Sequence, residues 1–215
     1  MSAQTLTYWR DRTLYVNASS RCSNSCVFCV RNFSDGVYGF GLRMSEDPSP
    51  DELEAAVLEK AAEGFREVAI VGFGEPLLNL DGVLRVLRVV KKRLELPTRM
   101  NSNGQGLLLY PDRDVPRELA KAGLDEIQVS LNAPDAETYA KLCRPEFGAQ
   151  TFASVIDFVK RCSKLMETKI SVVELPGLDI EACRQIADRL GVGFRVRQFK
   201  GPRQTLADIR QLLSS

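Results

Sequence analysis

What most restricts the fold of this chain is an alternation. A short apolar or β-branched segment is followed by a helical period, six times over. Residues 13–19 (TLYVNAS) read as the first strand. Ser49-Pro50-Asp51-Glu52 is a helix start, with a Ser cap and Pro at the first helical position. Leu53, Val57, Leu58 and Ala61 carry the period and Gly64 closes it. Residues 68–72 are apolar without alternation, as suits a parallel strand buried on both faces. The cycle continues with a helix over 80–94, a strand at 98–101, a helix from 116 to Gly123 and a strand at 126–131. Helical segments at 135–142 and 152–166 precede a strand at 169–174, and a helix at 180–190 precedes a strand at 194–199. A closing helix is expected at about 205–213. This is the pattern of an α/β fold, a parallel sheet covered by helices. Six units do not fill an eight-stranded barrel, so a partial (βα)6 TIM-like barrel or a doubly wound sheet is expected. Both place reactive residues at the C-terminal ends of the strands. With 215 residues and no composition break, one domain over 1–215 is expected, with an irregular loop at 20–45 and no sizeable cap.

Charge and residue usage exclude several functions. With 29 basic and 28 acidic residues the net charge is +1, which gives no bulk case for nucleic-acid or membrane-surface binding. The longest apolar run, 68–73, is too short to span a bilayer, and residues 1–12 lack the apolar core of a signal peptide. A cytoplasmic protein with no membrane partner is the expectation. The chain has six Cys and no His, which rules out Ser-His-Asp and Cys-His catalytic sites and any His-ligated zinc.

The first strand runs directly into Cys22-Ser-Asn-Ser-Cys26-Val-Phe-Cys29, a C-x3-C-x2-C loop placed where the active site is expected. Three thiolates at this pitch can wrap one side of a cubane iron–sulfur cluster and leave one iron open for a ligand. A structural zinc site is the alternative. It would need Cys143, Cys162 or Cys183 as a fourth ligand, each more than a hundred residues away.

With Phe28 before its last Cys, this loop resembles that of the radical S-adenosylmethionine (radical SAM) superfamily. The resemblance implies a [4Fe–4S] cluster on Cys22, Cys26 and Cys29 whose open iron binds S-adenosylmethionine. It implies that one electron cleaves the sulfonium, and that a 5′-deoxyadenosyl radical then takes hydrogen from a substrate. It also implies a low-potential electron donor of the flavodoxin or ferredoxin type. Gly72-Phe73-Gly74-Glu75-Pro76, after the second strand, is similar to the family's GGEP loop, with Phe for the second Gly. The likeness assigns Gly72, Gly74, Glu75 and Pro76 to the methionine ammonium. Asn101 and Asn103, in Asn-Ser-Asn-Gly after the third strand, resemble a segment that lies near the cofactor. Ser130 and Asn132, after the fourth, correspond to ribose or carboxylate contacts, and Arg144 of Cys143-Arg144-Pro145 to a grip on the carboxylate. Cys143 itself reads as a core thiol. Over residues 14–197 the chain is similar to the TatD-linked radical SAM proteins, named for adjacency or fusion to TatD-type hydrolases, so such a hydrolase or a macromolecular substrate is a candidate partner.

The last strand carries Arg195 and Arg197 on one face, able to hold an anionic substrate group or to pair with helix carboxylates such as Asp179 and Glu181. Phe33, Tyr38 and Phe40, in the loop at 33–42, either cover the site or fold over the barrel end as packing. Arg85, Arg88, Lys91, Lys92 and Arg93 read as a solvated helix face. The function expected is hydrogen abstraction in the modification of RNA or peptide. A glycyl-radical-type activase, or a cluster-bearing redox module without radical chemistry, is the alternative. The activase ranks lower because its usual Asp-x-Lys in the fourth strand is replaced by Ser130-Leu131-Asn132.

Overall fold

A computed structural model describes residues 4–214. The first three residues of the N-terminal segment and the last of the expected 1–215 domain lie outside the described residues. Strand β1 (Thr7–Arg10) turns back through Asp11, in the left-handed region at φ 54°, into β2 (Thr13–Val16), and the two pair antiparallel. After the Cys loop comes a small hairpin, β3 (Gly36–Val37) and β4 (Phe40–Gly41). Helix α1 (Pro50–Ala61) precedes β5 (Glu67–Ile70), and α2 (Leu80–Val89) precedes β6 (Thr98–Ser102). Helices α3 (Gly106–Leu109) and α4 (Val115–Ala122) lead to β7 (Glu126–Ser130). Helices α5 (Ala136–Cys143) and α6 (Thr151–Cys162) lead to β8 (Glu167–Val173). Helix α7 (Ile180–Leu190), β9 (Gly193–Arg197) and α8 (Arg203–Ser214) complete the order.

The main sheet runs β1-β2-β5-β6-β7-β8-β9, and every pair after the first is parallel. Six parallel strands in sequence order, each followed by helix, make the partial (βα)6 barrel. The local chemistry is consistent with it. Ser49 and Glu52 close a capping box on α1, and Asp114, Asp135 and Asp179 cap α4, α5 and α7 through backbone N–H groups. The β1–β2 hairpin is absent from the sequence reading, because Asp11-Arg12 is not one of the Gly-containing dipeptides that mark tight turns. The helix expected over 80–94 is α-helical to Val89 and then widens to a π turn over Val90–Leu94. In that turn Lys91 lies across Gly123 and its ammonium meets Asp125 at 2.6 Å.

Strand alternation divides the residues by face. Leu14, Val16, Val68, Ile70, Met100, Ile127, Val129 and Ile170 form the core with Leu53, Val57, Val83, Leu87, Leu119 and Val159 of the helices, all 0% exposed. The alternate positions, among them Tyr15, Arg99, Gln128, Ser130 and Arg197, line a cavity on the concave face. Two of the ion pairs beside these strand positions are Arg99–Glu67 at 3.0 Å and Lys169–Glu126 at 2.9 Å. The apolar surface lies between sheet and helices, and the concave face is polar.

Candidate active site

The loops at the C-terminal ends of the strands enclose a cavity of about 590 Å³. Cys22, Cys26 and Cys29 all line it. Their loop is clamped on two sides. Toward α5, Ser25 N donates to Cys143 O at 3.0 Å and Val27 N to Leu142 O at 3.0 Å, and Asn24 bridges Pro145. Toward β6, Asn103 Nδ2 donates to Ser23 Oγ at 2.9 Å, and Gln105 Nε2 to Asn24 Oδ1 at 2.6 Å. Asn24 and Gln105 both donate to the Tyr139 hydroxyl at 3.2 Å. Arg31 closes the loop from below, through Ser20 O at 2.9 Å and Cys29 Sγ at 3.4 Å.

The thiols sit in unlike surroundings. Burial, with Glu75 nearby, pushes Cys22 up to about 12. Cys26 is lowered by a hydrogen bond from Cys143, a buried thiol that desolvation keeps protonated. Cys143 is thus packed in the core, as its sequence position suggests, yet touches the cluster loop. Cys162 and Cys183 are buried in separate apolar clusters.

The loop after β5 is fitted to the exit of β2 by backbone contact. Gly74 N donates to Ser19 O at 2.9 Å and Glu75 N to Arg21 O at 2.7 Å. A Cβ on Gly74 would come within 2.0 Å of Arg21 O, so only glycine fits. Asn17 holds the other side: its Oδ1 accepts from Phe73 N at 3.0 Å and its Nδ2 donates to Leu42 O at 2.9 Å. Glu75 is 2% exposed. Its Oε1 accepts from Leu77 N at 3.1 Å and Ser102 Oγ at 2.8 Å, its Oε2 from Asn103 N at 2.6 Å. Desolvation outweighs these three bonds and raises its carboxyl to about 7.

Phe28, Gly72, Gly74, Glu75, Asn101, Asn103, Ser130, Asn132, Arg195 and Arg197 share this cavity with the three Cys. Asn132 stands in the left-handed region at φ 60° and accepts from Val173 N at 3.0 Å. Two residues assigned from the sequence to the cofactor site do not line it. Pro76 is buried beneath Glu75 at the start of a helical turn. Arg144 ends α5 at φ 45° with an exposed side chain, because the chain must reverse there to set Pro145 against Asn24. Of the loop's three aromatic residues Tyr38 lines the cavity, while Phe33 packs edge-on to Phe199 at 6.1 Å and Phe40 edge-on to Trp9 at 4.7 Å. Arg195 and Arg197 meet Gln128 and Ser130, not the helix carboxylates Asp179 and Glu181. Arg85 pairs with Asp51 and Glu54, as befits a solvated face.

Sequence reasoning missed Tyr8, Tyr15, Arg31, Arg99 and Gln128, all cavity-lining. Arg31, two residues past the last Cys, carried a usable signal, since a cation beside thiolates stabilises them. Arg99 and Gln128 were legible only through strand alternation from Asn101 and Ser130.

The donor set fits an iron–sulfur cluster. Three thiols face one cavity, and N–H groups already point at two of the sulfurs. Cys22 Sγ receives Asn24 N at 3.4 Å and Asn103 Nδ2 at 3.9 Å, while Cys29 Sγ receives Arg31 Nε. Among the described residues no three His, Cys, Asp or Glu side chains close on a single ion, so the thiols do not form a zinc-type group. A cubane takes each thiolate at its own iron.

An open parallel barrel with three loop thiols at its C-terminal mouth defines the radical SAM class, whose enzymes use a [4Fe–4S] cluster and S-adenosylmethionine. The family model described as the radical SAM superfamily matches residues 16–190, and the chain belongs to that superfamily. It is 29% identical over 180 residues to a probable GTP 3′,8-cyclase of Methanothermobacter marburgensis, covering 80% of this chain and 54% of that protein. It is 29% identical over 144 residues to a probable dual-specificity RNA methyltransferase RlmN of Thermus thermophilus, covering 63% of this chain and 37% of that one. The chain thus spans about half the length of the curated relatives it matches. SuiB of Streptococcus suis, solved bound to S-adenosylmethionine, superposes with a TM-score of 0.67 over 94% of this chain and 46% of that one. At 18% identity this is a likeness of fold. Among the described residues no helix is long and apolar enough to cross a membrane.

Proposed function

We propose that this chain performs radical SAM chemistry in the cavity at the mouth of its barrel. The observation that carries the proposal is the clamped loop that presents Cys22, Cys26 and Cys29 to one cavity with N–H donors already at the sulfurs of Cys22 and Cys29. These three residues would hold the cluster. Gly72, Gly74, Glu75, Asn101, Asn103, Ser130 and Asn132 would line the S-adenosylmethionine site, with Pro76 fixing the turn behind Glu75. Arg144 is left out of this set because its side chain is exposed and off the cavity. When bound, the cluster supplies the electron that cleaves S-adenosylmethionine, and the resulting 5′-deoxyadenosyl radical takes hydrogen from substrate. The chain's own part is to hold the thiolates, to neutralise them with Arg31, and to exclude water by the hairpin around Tyr38.

The substrate class favoured is RNA or peptide, acted on in the cytoplasm by a single domain over 1–215, with a flavodoxin or ferredoxin type donor supplying electrons. The TatD-linked resemblance makes a TatD-type hydrolase a candidate partner. Anaerobic reconstitution tests the reading. Iron analysis and EPR should show one cluster per chain, lost in each of Cys22→Ala, Cys26→Ala and Cys29→Ala and kept in Cys162→Ala. Reduction with S-adenosylmethionine should yield 5′-deoxyadenosine. A reducible cluster that never yields it would establish the redox-module alternative instead.

A further inference from the structure

The wall that the open barrel lacks lies between two edges of opposite character. On one edge Tyr8 and Tyr15 stack at 4.9 Å, and Tyr38 of the hairpin tilts over them at 6.5 and 6.2 Å. Tyr38 is 46% exposed. On the other edge β9 presents Arg195 and Arg197 to the cavity. Their partners are neutral: Arg195 Nη1 donates to Gln128 Oε1 at 3.4 Å, Arg197 Nη2 to Ser130 Oγ at 3.2 Å. Arg197 Nε is buried with no partner, and so is Ser171 Oγ, which the β8–β9 register sets beside Arg195.

Of the other cations near this edge, Lys200 lies over the Tyr38 ring at 5.9 Å, and the rest are engaged. Arg99 is paired with Glu67, Lys169 with Glu126, and Arg31 with Cys29 and backbone carbonyls. Glu75 is the only carboxylate among the lining residues, and both its oxygens are taken. The β9 edge therefore carries two guanidiniums with no carboxylate partner, Arg197 attracted only by the sulfurs of Cys26 and Cys29, and an orphaned donor. Two guanidinium forks with the Ser130 hydroxyl beside them match a group with several acceptor oxygens and more than one negative charge, which is a phosphate ester. The tyrosine edge matches a planar ring.

We propose that the substrate is a phosphorylated nucleoside, free or as a unit of RNA, with its phosphate held by Arg195 and Arg197 and its ring against Tyr15 and Tyr38. This rests on the preceding reading only in naming the ligand a substrate, since the binding itself needs no cluster chemistry.

Calorimetry on the reconstituted full chain, saturated with S-adenosylmethionine, tests it with GTP, guanosine and a short 5′-phosphorylated RNA. GTP or the RNA should bind, and the tighter of the two identifies the source of the nucleotide. Guanosine should bind at least about 10-fold more weakly than GTP. Arg195→Gln and Arg197→Gln should each weaken the better ligand about 10- to 150-fold, and Tyr38→Ala about 5- to 150-fold. Rising salt should weaken the wild type too, so the test does not depend on the variants folding. Binding of neither phosphorylated probe would overturn the proposal, as would equal affinity for guanosine and GTP. Competitive displacement of GTP by S-adenosylmethionine would also overturn it, because the arginines would then serve the methionine carboxylate. Failure of the cluster to assemble would count against the preceding reading alone, and the same titration on cluster-free chain would then decide this one.

Discussion

Glu75 is a carboxylate whose position serves structure before any ligand arrives. Its two oxygens tie the loop after β5 to the end of β6, through Ser102 and Asn103. Burial holds its carboxyl at about 7, against 4.5 for the free side chain. The folded chain therefore binds this proton more tightly than the unfolded chain does. The contribution is fully present below pH about 4.5 and is lost as the pH rises through about 7, on the order of 3 kcal/mol in all. Thermal unfolding of the cluster-free protein should show this fall in the wild type, and Glu75→Gln should remove it. Parallel curves for the two would mean that the carboxylate ionises in the folded state at its ordinary pH. Arg144 makes a second prediction at this scale. It sits at φ 45° with an exposed side chain, so Arg144→Gly should raise stability by about 1 kcal/mol. S-adenosylmethionine affinity, measured by calorimetry, should stay unchanged. A weakened affinity would return Arg144 to the binding site. The sequence shows the type and spacing of Cys22, Cys26, Cys29 and Glu75. It does not show which way a side chain such as Arg144 turns, because that follows from the reversal of the chain after α5.

At the scale of elements, the cluster loop has no regular structure of its own and is shaped by what it rests on. Asn24 of the loop and Gln105, distant in the sequence, share one acceptor, the hydroxyl of Tyr139, which is 1% exposed. Tyr139→Phe removes that acceptor and leaves two buried amide donors short, a cost of about 1–3 kcal/mol. The loop should loosen, and iron retained per chain after anaerobic desalting should fall while the far-UV circular dichroism stays the same. Full retention would show that the backbone bonds from Ser25 and Val27 to the end of α5 are enough. Elements with local signals were legible: the Ser49-Pro50 start of α1, the helical periods of α5 and α7, and the apolar run of β5. Those set by distant partners were not. The β1–β2 hairpin depends on Tyr8 stacking on Tyr15 and bonding Val71 O at 2.6 Å, and the π turn after α2 holds Lys91 against Asp125. Neither contact leaves a periodic trace in the chain.

At the scale of the molecule, β1 and β9 are the two free edges of the sheet, and nothing in the strand order joins them. The hairpin of β3 and β4 spans between them near the mouth. Its β1 side is well held: Phe40 lies edge-on to Trp9, and Arg10 sits over Tyr38 at 4.7 Å. Its β9 side rests on less, Phe33 against Phe199 at 6.1 Å and Lys200 over Tyr38 at 5.9 Å. An aromatic pair of this kind contributes about 0.5–1.5 kcal/mol beyond its burial, and a half-exposed cation–π contact about 0.5–1 kcal/mol. Phe33→Ala should therefore release the hairpin from β9 without unfolding the barrel. Hydrogen exchange reads this directly. The amide of Leu42, bonded to Asp35 O at 2.8 Å, should exchange faster in the variant, while amides of β6, β7 and β8 keep their protection. Unchanged protection at Leu42 would show that the contacts to Trp9 and Tyr8 hold the hairpin alone.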